Sequence, residues 1–104
     1  VETTPGVDAI EKIVALDTVS GIFIGPYDLS CSWGEPGNFN TPAYKEALSI
    51  VMNACRNSGK PAGIHQVEPD PKELQSRFDE GYSFVAYGTD AIGLRHTFRH
   101  LINK

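Results

Sequence analysis

The sequence predicts an α/β protein of four βα units with parallel strands, arranged as half an eight-fold barrel or, as the alternative the near-equal units disfavour, a small open sheet. Three observations carry that expectation. Short apolar runs alternate with longer stretches of helical periodicity along all 104 residues. The run Gly21-Ile22-Phe23-Ile24 is continuously apolar, as in a strand covered on both faces. Each helical stretch but the last lies between two such runs and returns the chain to the same sheet edge, which demands parallel pairing.

The elements follow in order. Val1-Glu2-Thr3 reads as the tail of a first strand whose beginning lies upstream. Thr4-Pro5-Gly6 starts a helix, with Thr4 as cap and Pro5 at the first helical position. Val7, Ile10, Ile13 and Val14 then recur at helical spacing. After a turn at residues 17–20 comes the strand Gly21 to Ile24. Leu29 to Asn40 reads as a long loop, and loops of that length are usually functional or mobile. Thr41-Pro42 repeats the cap-and-proline start, and Tyr44, Ala47, Leu48, Val51, Ala54 and Cys55 form an apolar stripe that Gly59 closes. Pro61 to Ile64 is the next strand, ending at His65-Gln66. Asp70-Pro71-Lys72-Glu73 is a capping box opening a helix with Leu74 and Phe78, closed by Gly81. Ser83 to Tyr87 is the last strand. A helix capped by Asp90, with Leu94, Phe98 and Leu101 on one side, then runs to the terminus.

Composition narrows the function. Hydrophobic content of 40% and charged content of 21% describe an ordinary folded domain. A net charge of −4 without clustered Lys or Arg excludes a nucleic-acid footprint. No apolar run approaches a membrane span, and no basic-plus-apolar start suggests a secretory leader. Cys31 and Cys55 lack the spacing of a disulfide framework or a zinc site, which points to a reducing, cytoplasmic setting.

In a parallel sheet the strand C-termini share one rim, where α/β folds place their chemistry. Glu2, Asp28, His65 and Asp90 each follow a strand. Glu2 and Asp28, on consecutive strands, are candidates to share a hard cation such as Mg²⁺ or Mn²⁺. The competing readings are an exposed Glu2 and an Asp28 that merely caps the following turn. His65 reads as a packing or hydrogen-bonding residue. His96 and His100 have metal-pair spacing but no evident third ligand, so a solvated face is expected. The turn Gly25-Pro26-Tyr27 offers backbone N–H groups of Tyr27 and Asp28 to an anion, Pro26 having none to donate. An anion nest beside a carboxylate pair suits a 2-oxo acid.

Glu2-Thr3, Gly6-Val7 and the stretch Gly21-Ile22-Phe23-Ile24-Gly25-Pro26-Tyr27-Asp28-Leu29-Ser30 resemble the HpcH/HpaI aldolase family. The likeness continues through Thr41-Pro42, Gly59-Lys60, Gly63-Ile64 and the last strand. It implies the C-terminal half of a (β/α)8 TIM barrel over residues 1–104, the N-terminal half being absent. It implies a carbon–carbon lyase, a class II pyruvate aldolase that cleaves a 4-hydroxy-2-oxo acid to pyruvate and an aldehyde through a metal-stabilised enolate. Glu2 and Asp28 would be the metal ligands, for Mg²⁺, Mn²⁺ or Co²⁺. Gly25, Tyr27 and Asp28 would bind the substrate, the last two through their N–H groups. The family's essential Arg and His have no counterpart in this chain, so no catalytic residue is assigned and the chain alone is expected to be inactive. Tyr27 stands where the family usually has a smaller residue, and His65 where an apolar one is expected to face the aldehyde half. The resemblance also implies a homo-oligomer with exchanged C-terminal helices. Two alternatives stand beside this reading: a non-catalytic half-barrel that oligomerises through its open edges, and a related lyase acting on a CoA thioester or a phosphoenolpyruvate-type substrate at the Gly88-Thr89 turn.

Overall fold

The computed structural model describes residues 1–102 as a three-stranded parallel sheet, β1 (Ile22–Ile24), β2 (Ala62–Gln66) and β3 (Phe84–Tyr87), in that spatial order. Six helices accompany it: α1 (Thr4–Asp8), α2 (Ile10–Val14), α3 (Pro26–Cys31), α4 (Pro42–Ser58), α5 (Pro71–Asp79) and α6 (Asp90–Ile102). The stretch expected as a first strand contributes one residue to the sheet. The Val1 amine donates to the Phe23 carbonyl and the Gly25 N–H donates to the Val1 carbonyl, a parallel bridge that sets Val1 beside Ile24 and Glu2 beside Gly25.

Helix starts follow local chemistry. Thr41 caps α4 by accepting from the Tyr44 N–H, and Gly59 ends it in the left-handed region at φ 72°. Asp70 caps α5 by accepting from the N–H groups of Lys72 and Glu73. The expected capping box is only half formed, because the Glu73 carboxylate turns to Arg77 instead. Thr3, not Thr4, caps α1, since its hydroxyl reaches the Gly6 N–H. At the last helix the Thr89 hydroxyl accepts from the Ile92 N–H, while Asp90 becomes the first helical residue and accepts from the adjacent Ala91 N–H. The expected continuation of α6 to the terminus, at residues 103–104, lies outside the described residues.

The core lies between the sheet and α1, α2 and α4. Ile22, Ile24, Ala62 and Ile64 face Val7, Ile10, Val14, Ala47, Val51 and Cys55, all buried. Val51 and Ile24 are fully enclosed. Phe23 departs from the expectation of a strand covered on both faces. It points to the open side of the sheet, 40% exposed, and stacks on Phe84 with ring centroids 5.9 Å apart. Gly63 lies between them, its missing side chain giving the Phe84 ring its place. Among the described residues no helix is long and apolar enough to cross a membrane.

Candidate functional site

The loop expected over Leu29 to Asn40 begins only at residue 32, because β1 delivers the chain to Gly25 and the next six residues are helical. They form α3, with Gly25 as its N-cap and Pro26 at the first helical position. Six residues are too short for a periodic signal. The signs available were the glycine–proline start and Leu29, fully buried three residues later. Asp28 is therefore the third residue of a helix and not its cap, which removes the capping reading. Gly25 has no side chain with which to cap the helix, and no other side chain caps it. The first-turn N–H groups of Tyr27 and Asp28 are orphan donors of the kind that bind anions.

Glu2 lies against this turn. A Cβ built on Gly25 would stand 2.8 Å from Glu2 Oε1, so the glycine is what lets the carboxylate rest on the strand end that leads to Asp28. Glu2 and Asp28 are both exposed and line one cleft, with Gly25, Tyr27 and His65. Among the described residues no set of three or more His, Cys, Asp or Glu converges as a metal cage. Two carboxylates on an open cleft nevertheless fit a Mg²⁺-type ion, which keeps several waters and takes one or two protein oxygens.

Tyr27 is 57% exposed, its ring lies beside Gly37, and both residues line the cleft. Ser30, given no role by the sequence, is buried. Its hydroxyl donates to the Tyr27 carbonyl at 2.6 Å and accepts from the Gly37 N–H at 2.8 Å, tying the segment after α3 to that helix at Gly37. His65 Nε2 lies 3.0 Å from the Gly88 carbonyl, as the hydrogen-bonding reading anticipated. Asp90 serves the start of α6 and does not line the cleft. His96 and His100 are exposed on α6, on the solvated face expected of them.

The cleft continues outward between α4 and α5, where Tyr44 and Tyr82 are buried. Burial pushes the Tyr44 hydroxyl well above its ordinary range, and burial with the nearby Glu80 carboxylate pushes Tyr82 to about 12. Burial works against the Arg77 charge, but hydrogen bonds and ion pairs to Glu73 and Glu80 outweigh it and raise its pKa.

The sequence pattern of HpcH/HpaI aldolase/citrate lyase matches residues 1–97. The chain is 37% identical over 90 residues to a 5-keto-4-deoxy-D-glucarate aldolase of an Enterobacter species, covering 86% of this chain and 34% of that protein. It is 35% identical over 104 residues to a hydroxypyruvate/pyruvate aldolase of Roseovarius nubinhibens, covering all of this chain and 40% of that one. A solved HpcH/HpaI aldolase/citrate lyase family protein from Burkholderia cenocepacia superposes with a TM-score of 0.89 at 29% identity, over 98% of this chain and 39% of that one. The chain thus spans well under half the length of the proteins it is similar to.

Proposed function

Because the chain belongs to the HpcH/HpaI aldolase/citrate lyase family, we propose that it is the C-terminal half of a barrel that cleaves 4-hydroxy-2-oxo acids to pyruvate and an aldehyde. The observation that carries this reading is Glu2 resting on Gly25, three residues before Asp28 and the uncapped first turn of α3. Glu2 and Asp28 would hold a divalent ion, Mg²⁺, Mn²⁺ or Co²⁺, as hard oxygen donors. When bound, such an ion supplies Lewis-acid polarisation of a carbonyl. The N–H groups of Tyr27 and Asp28 hold the substrate carboxylate, and Gly25 lets the backbone approach it closely. This chain orients the acid end of the substrate, while proton transfer falls to the rest of the barrel, so the 104-residue chain alone releases no pyruvate.

The assembly is proposed to be a cytoplasmic homo-oligomer. Supporting the association alone, Leu94, Phe98 and Leu101 form an apolar stripe on α6, at 62%, 50% and 55% exposure.

Calorimetric titration of the chain with Mn²⁺ tests the site. Asp28→Asn is expected to abolish the binding heat while leaving the circular dichroism spectrum intact. Unchanged affinity in that variant removes Asp28 as a ligand and the reading with it.

A further inference from the structure

We infer that His65 accepts a hydrogen bond from a hydroxyl group of the ligand held at this rim, and so selects hydroxylated over unhydroxylated oxo acids. The inference rests on the proposed function and deepens it.

Strand register carries the argument. Gly63 pairs with Phe23 on one side and Phe84 on the other, and all three belong to the open face of the sheet. Side chains alternate along a strand, so the next row on that face is Gly25, His65 and Ala86, with Glu2 set beside Gly25 by the Val1 bridge. On the other face Ile64 and Gln66 are buried. The row at the rim therefore runs Glu2, Gly25, His65, Ala86. Its two small members leave the space beside His65 open, and its acidic member belongs to the proposed cation pair. Two strand spacings separate Glu2 from His65, about 10 Å between backbones. Side chains shorten that gap to the reach of a small hydroxy-oxo acid. His65 is half-buried and lines the same cleft as Glu2 and Asp28.

The ring's protonation pattern follows from its partner. A carbonyl only accepts, so the 3.0 Å contact with the Gly88 oxygen makes Nε2 the protonated nitrogen. Nδ1 of the neutral ring is then a bare acceptor. Gly88 is fixed in turn. Its N–H donates to the Gln66 carbonyl at 2.7 Å, and its φ of 70° is one that a side chain would strain. The turn after β3 thus sets the tautomer of a side chain on β2. An acceptor at this place recognises a hydroxyl, not a second carboxylate.

A purely structural His65 would use only its Nε2–H, to hold Gly88. The two roles separate by substitution, because glutamine places a donor near Nε2 whereas asparagine places an acceptor near Nδ1. The test uses the chain with Mn²⁺ and a matched pair of probes, 4-hydroxy-2-oxobutanoate and 2-oxobutanoate. His65→Leu is expected to weaken the hydroxylated probe about threefold to tenfold and to leave the other unchanged. His65→Asn restores the preference and His65→Gln does not. Nitrogen-15 spectra of the native protein are expected to show Nε2 protonated, with Nδ1 shifting only when the hydroxylated probe is added. Equal loss for both probes, restoration by glutamine, or a protonated Nδ1 overturns the role given to His65 while the proposed function stands. Failure of both probes to bind the native chain overturns the proposed function and this inference together.

Discussion

Replacing Gly25 with alanine isolates the contact on which the proposed cation site depends. An added Cβ would meet Glu2 Oε1 at 2.8 Å and Cγ at 2.9 Å, where ordinary contact begins at 3.4 Å. To regain ordinary contact the carboxylate retreats by 3.4 − 2.8 = 0.6 Å, and the stem by 3.4 − 2.9 = 0.5 Å. Against a Mg²⁺–oxygen distance of about 2.1 Å with strict octahedral demands, that displacement is large. Disturbing the support of a metal ligand typically costs about 10- to 100-fold in affinity. The backbone itself is not strained by the change, because Gly25 sits at φ −97° and ψ 95°, open to any residue. Glycine-to-alanine at such a position stabilises by about 0.4–1 kcal/mol through the unfolded chain. Glu2 is exposed and free to swing away. Gly25→Ala should thus bind Mn²⁺ at least about tenfold more weakly in calorimetry while its urea midpoint holds or rises. Native affinity in a folded variant would refute Glu2 as a ligand, and an unfolded variant would show that the contact supports the fold and not the site.

The remaining predictions concern the scaffold. At Gly63 an added Cβ would fall 2.2 Å from the Phe84 ring. Gly63→Ala should cost about 1–3 kcal/mol in urea unfolding, and the cost should vanish in a Phe84→Ala background; additive losses would sink the reading. Cys31 is exposed, whereas Cys55 is buried with its thiol pKa pushed up by desolvation. An alkylating reagent should modify Cys31 alone in the folded chain, and equal labelling of both would contradict the packing. For Tyr82, raised from 10.0 to about 12 in the fold, the folded state keeps its proton longer than the unfolded one. Its contribution is fully present below pH 10 and is lost as pH rises through about 12. Tyr44 acts in the same direction. Stability should therefore fall across that window, less so in Tyr82→Phe; identical profiles would remove burial as the cause.

Most of the scaffold was legible because it is written in local chemistry. Thr41-Pro42 and Asp70-Pro71 mark helix starts by satisfying orphan N–H groups, and Gly59 marks a helix end by accepting a left-handed conformation. The parts that stayed hidden depend on distant partners. Phe23 reads as one more apolar residue of a covered strand, yet its environment is set by Phe84, sixty-one positions onward. α3 is held by the burial of Leu29 and Ser30 and not by periodicity. At the site, Glu2 and Asp28 were identifiable as strand-end carboxylates, and the structure adds the glycine that seats one of them. His65 was visible as a strand-end residue on the rim it shares with Glu2, but its place in one row with Gly25 and Ala86 exists only in the register of the strands.

The two hydrogen bonds of the Ser30 hydroxyl give the segment after α3 a thermodynamic dependence on the helix before it. The Gly37 amide can exchange with solvent only when its bond to that hydroxyl opens, and the same hydroxyl is bonded to the carbonyl at the first turn of α3. Whatever steadies that turn slows the opening. Occupancy of the rim should therefore be readable as slowed hydrogen exchange at Gly37, nine residues beyond Asp28 along the same cleft.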